Sequence, residues 1–71
     1  MYYDAIQVGL RIKEARSSLG LSQEAFSEQL GISRNHLARI EIGLRSPSID
    51  TLISISLCSG YTLDYLVLGK R

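Results

Sequence analysis

With 71 residues, 45% of them hydrophobic, the chain has room for a single small domain spanning residues 1–71 and none for a second. Eight Lys and Arg against seven Asp and Glu leave a formal charge of +1, too balanced for composition to mark a nucleic-acid binder, so such a reading must rest on where the charges lie. The lone Cys58 excludes an internal disulfide and a cysteine-based zinc site and points to a reducing, cytoplasmic setting, while no run reaches the roughly 18 apolar residues that cross a bilayer.

The N-terminal stretch carries Asp4 and a charged run from Arg11, so it lacks the apolar core of a secretory signal. A first helix is predicted from about Asp4 to Leu19, closed by Gly20. Ser22 stands where an N-cap belongs and opens a second helix that runs to Leu30 and stops at Gly31. Ser33 caps a third, to about Ile42, with Gly43 as its stop. Ser48, after Pro47, caps a fourth, and Thr62, after Gly60, caps a short fifth.

The stretch "TLISISLCSG" has some β-branched character, but helical spacing fits it better. Leu52, Ile55, Ser56 and Ser59 share one side, and Ile49, Ile53 and Leu57 form a second stripe. Cys58, late in this helix, is read as a small buried apolar residue. The expected class is all-α, with five helices.

Only Gly31, Ile32 and Ser33 join the second and third helices, so the two must cross steeply at a small contact point, for which Ser27 is suited. Phe26, Leu30, Ile32, Leu37 and Ile40 supply their apolar faces. With Leu37 at zero on a helical wheel, Ile40 and Glu41 fall about 60° and 40° to either side and mark the inner face. Asn35 and Arg39 fall opposite, Ala38 and His36 lie on the flanks, and Arg34 stands at the helix start.

An exposed helix face is often polar merely because it is solvated. Here two guanidinium forks, a carboxamide and an imidazole gather on it without an acid, directly after a tight joint with a cap on each helix. Such groups read base edges: Arg donates twice to guanine, Asn bonds adenine, and the Ala38 methyl can meet that of thymine in a major groove wide enough for one helix.

The segments "LGLSQEAFSEQLGIS", "HLARIEIGLRSPSIDTL" and "GYTLDYLVLG" together resemble the helix-turn-helix regulators of the phage repressor and Cro type, often called the XRE family. The resemblance runs from about Gly9 to Gly69. It implies a compact repressor-like DNA-binding domain with its helix-turn-helix at helices two and three and its recognition helix at about 33–42. Arg34, Asn35 and Arg39, with Ala38 and His36, would contact bases. Gln23 would touch a phosphate, with Ser22 and Ser33 beside it at the helix starts, and Arg45 with Ser46 would hold another beyond the recognition helix. Arg16 resembles the structural partner of Glu41. The chain departs from the family's habit at Ile42 and Leu44, where polar or basic residues are common, and at Ser59, where a core leucine is usual.

Ile42, Leu44, Ile49, Ile53 and Leu57 form either an exposed partner surface or a face covered by the fifth helix through Leu63, Tyr65, Leu66 and Val67. Tyr61 and Tyr65 are read as packing in or beside the core, and Tyr2, Tyr3 and these two are not interleaved with basic residues. No carboxylate cluster, phosphate-cradling glycine loop or metal-ligand set is present, so neither an enzyme nor a cofactor or metal site is expected. The expected function is a transcriptional regulator, a dimeric repressor on a partly palindromic double-stranded operator. The alternative is a protein-interaction module of the same fold, such as the antitoxin of a toxin–antitoxin pair.

Overall fold

The computed structural model describes residues 3–71; Tyr2 lies outside them. Five helices follow in order: α1 (Ala5–Ser18), α2 (Gln23–Leu30), α3 (Arg34–Glu41), α4 (Ile49–Ser59) and α5 (Leu63–Leu68), with no strand among the described residues. No helix among the described residues is long and apolar enough to cross a membrane.

Each helix begins on a side-chain oxygen that takes an otherwise unpaired backbone N–H. Asp4 accepts from Ile6 and Gln7 at 3.1 and 3.2 Å. Ser22, Ser33, Ser48 and Thr62 accept from Ala25, His36, Thr51 and Tyr65, each three residues on. A cap of this kind contributes about 1 kcal/mol, which matters because helices as short as α2, α3 and α5 are marginal by themselves. Gly31 ends α2 at φ 73°, a left-handed conformation that lets the chain reverse into Ser33 within three residues.

Val8, Ile12 and Ala15 of α1, Phe26 of α2, Leu37 and Ile40 of α3, Leu52 and Ile55 of α4, and Leu66 of α5 make one buried core. Leu21, Leu30, Ile32, Tyr61 and Val67 pack at its margin. Full burial of one such large side chain contributes about 1.5–3 kcal/mol, so Leu66 alone gives the six-residue α5 a reason to dock. Ser27 is buried where α2 meets its neighbours and satisfies its hydroxyl by donating to the Glu24 carbonyl at 2.8 Å. α1 packs on α3, α4 and α5, and α2 packs on α3 and α4, which leaves the outward face of α3 uncovered.

On α4 the stripe holding Leu52 and Ile55 turns inward and the stripe holding Ile49, Ile53 and Leu57 turns out. Ser59, in the place of the customary leucine, donates to the Ile55 carbonyl at 2.6 Å and accepts from the Tyr61 N–H at 3.2 Å. Ser56 donates to the Tyr61 carbonyl, so a small polar seam closes the turn into α5.

Cys58 is exposed, against the expectation of burial. Thr51 points the same way two turns earlier and is buried, so helix direction does not decide the matter. The last turn of α4 has too little packed over that line to cover it.

Candidate nucleic-acid interface

α3 is amphipathic in the simplest sense. Leu37 and Ile40 lie in the core, Arg34, Asn35 and Arg39 are exposed, and His36 and Ala38 are half-buried on the flanks. The exposed groups carry ten guanidinium N–H donors and a carboxamide on one face, with no carboxylate beside them. Ser33 at its start accepts from the His36 N–H at 3.0 Å, leaving its own O–H free to donate outward. Ser22 does the same for α2, accepting from Ala25 at 3.1 Å.

The inner side of this element is fixed by charge. Arg16 of α1 places its guanidinium fork on Glu41, with Nε 2.7 Å from Oε2 and Nη2 3.0 Å from Oε1, and its Nη1 donates to the Leu21 carbonyl at 2.9 Å. The Arg16 side chain is 13% exposed and that of Glu41 2%, so the pair is almost dry. Gln23, the first residue of α2, adds a third donor to the same carboxylate, Nε2 to Oε1 at 3.0 Å. Sequence reasoning paired Arg16 with Glu41 by resemblance but gave no sign of this third bond.

Beyond α3 the chain turns tightly. The N–H groups of Leu44 and Arg45 both donate to the Arg39 carbonyl, at 2.9 and 3.3 Å, which sets the exposed Arg45 and Ser46 directly past the end of the helix. Ile42, Leu44, Ile49, Ile53 and Leu57 are all exposed, from 40% at Ile53 to 80% at Leu57. α5 does not cover them: its Leu66 enters the core on the side of α1 and α4. Ile6, unmarked in the sequence, is also exposed and lies against Gly43, which stands between Ile42 and Leu44 in the chain.

Two short capped helices, a three-residue joint and a basic outward face on the second define a helix-turn-helix unit. The helix-turn-helix family profile matches residues 12–66, and the chain belongs to that family. The HTH-type transcriptional regulator ImmR of Bacillus subtilis strain 168 is 40% identical over 65 residues, covering 92% of this chain and 50% of ImmR. The P22 c2 repressor, solved in complex with a synthetic operator, superposes with a TM-score of 0.82 at 27% identity, covering 89% of this chain and 96% of that one. The restriction-modification controller protein C.AhdI of Aeromonas hydrophila gives 0.79 at 27% identity over the same shares. The chain spans about half the length of ImmR and of two further Bacillus subtilis regulators that it matches. The family is one of transcriptional regulators rather than enzymes.

Proposed function

We propose that the chain is a DNA-binding transcriptional regulator that lays α3 in the major groove of double-stranded DNA. The observation that carries this reading is the acid-free face of Arg34, Asn35 and Arg39 on a helix whose other side is locked by Leu37, Ile40 and Glu41. In this reading those three residues select bases, with Ala38 and His36 at the edges. Gln23, Ser22, Ser33, Arg45 and Ser46 hold phosphates on both sides of the groove. The operator complex of the P22 c2 repressor, similar over nearly the whole chain, supports the arrangement.

One short helix reads few base pairs, and a two-fold dimer doubles the site, with half-sites about 34–36 Å apart. The exposed Ile42, Leu44, Ile49, Ile53 and Leu57 offer the apolar surface for that dimer, acting as a repressor in the cytoplasm. The same surface favours a second reading, in which the chain serves mainly as an interaction module such as an antitoxin bound to its toxin.

The test is a fluorescence-anisotropy titration against the duplex upstream of its own reading frame and a scrambled duplex, at several salt concentrations. Tighter binding to the upstream duplex, weakening as salt rises, is expected from phosphate neutralisation with counterion release. Equal and weak binding to both, persisting through a wider operator search, would move the assignment to the protein partner.

A further inference from the structure

The buried carboxylate of Glu41 does more than its ion pair requires. The Arg16 fork satisfies both of its oxygens, yet Gln23 is brought in as a third donor from another helix. The geometry points to Glu41 as the positioning residue of the phosphate contact at the start of α2, an inference that rests on the DNA-binding reading above.

A glutamine carboxamide has two N–H donors. One is spent on Glu41 Oε1 at 3.0 Å, and the half-buried side chain keeps the second available. Glutamine is among the side chains that lose most rotamer freedom when fixed, so a free Gln23 would bear that loss on meeting DNA. Glu41 has it fixed beforehand, in the way preorganised groups bind more tightly. Because Arg16 is paired with Glu41, its positive charge offsets the negative charge of the anchoring carboxylate as a phosphate would meet it. A surface carboxylate in its place would repel it.

The relay therefore runs through three helices: α1 holds the last residue of α3, and that residue holds the first residue of α2. Gln23 makes the contact. Glu41 sets where it is made.

The experiment is a double-mutant cycle with Gln23→Met, which keeps the length of the side chain and removes both donors, and Glu41→Gln, which leaves one oxygen for three donors. All four proteins are titrated against the upstream and scrambled duplexes at a temperature where circular dichroism shows each to be folded. Each single variant is expected to weaken binding about tenfold, and by the same factor on both duplexes, as loss of a phosphate bond rather than a base contact requires. The double variant is expected to bind within twofold of Gln23→Met, since Glu41 acts through Gln23. Penalties that multiply in a protein that does bind DNA overturn this inference alone and leave Glu41 a structural partner of Arg16. A parent protein that binds no duplex overturns the DNA-binding reading and this inference with it. A second measurement needs no variant: nitrogen relaxation of the Gln23 side-chain amide in the free protein is expected to show an ordered group, and a freely mobile one overturns the anchoring.

Discussion

Gly9 of α1 lies against the last turn of α3, so close that a Cβ there would stand 2.6 Å from the Glu41 carbonyl oxygen and would also strike that of Ile40. The obstacle is backbone, which cannot turn aside as a side chain can. In an open helix, Gly→Ala would gain about 1 kcal/mol. Here Gly9→Ala is expected to lose at least the 1–3 kcal/mol typical of overpacking, by prising α1 from α3, the helix proposed to read bases. A thermal melt checks the sign: a higher midpoint for Gly9→Ala would mean that α1 and α3 separate at little cost.

Arg16→Ala leaves the Glu41 carboxylate buried with only Gln23 as a donor. Removing one partner of a buried pair costs about 3–5 kcal/mol. In a domain this small each kcal/mol moves the midpoint by about 4–8 °C, so a large drop on calorimetry is expected. A melt superimposable on that of the parent would show the pair to be dispensable.

Arg39 is exposed, and its removal leaves the core untouched. Arg39→Ala is therefore expected to melt like the parent and to lose about 1–3 kcal/mol of binding at one base position, with discrimination relaxed there and kept elsewhere. Titration against single-base operator variants makes the comparison. Binding to every duplex as tightly as the parent would remove Arg39 from the reading set.

Leu57, 80% exposed, is the most open member of the apolar surface. Leu57→Lys should leave folding of the isolated chain intact while placing a charge twice over in the proposed two-fold contact. Analytical ultracentrifugation is expected to show a dimer for the parent and a shift towards monomer for the variant. An unchanged dimer would move the self-contact to another face.

Tyr65 donates its phenol proton to Glu14 Oε1 at 2.6 Å, and that bond holds its pKa above the ordinary 10.0. The folded state thus keeps the proton longer than the unfolded one. Its contribution to stability is fully present below pH 10 and is lost as pH rises through the folded-state value. Melts recorded across the alkaline range should fall more steeply for the parent than for Tyr65→Phe; parallel curves would mean that Glu14 does not hold the proton.

Helix boundaries were legible because the sequence marks them twice, with a glycine after one helix and a Ser or Thr before the next. The alternation of Gly20 with Ser22 and of Gly31 with Ser33 leaves α2 and α3 within a residue of their predicted ends. Periodicity also separated Leu37, Ile40 and Glu41 from Asn35 and Arg39. It assigns faces within one helix, however, and is silent on distances between helices. The third bond on Glu41, the approach of Gly9 to α3 and the contact of Ile6 with Gly43 all depend on how helices cross. Cys58 failed for a related reason, since a direction counts as buried only where another element lies over it. The role of the exposed face of α3 was drawn from the chemistry of its side chains, which a sequence displays directly.

Arg11 of the first helix reaches across fifty-five residues to donate to the carbonyls of Leu66 and Val67 at the end of the last, at 3.5 and 3.3 Å. Leu66 itself completes a core that Val8 and Ile12 begin. The cluster thus stays open while the chain is being synthesised, until the ribosome has released the residues around position 66. A product cut short before that point leaves Val8 and Ile12 without their final cover, open to proteases and to aggregation.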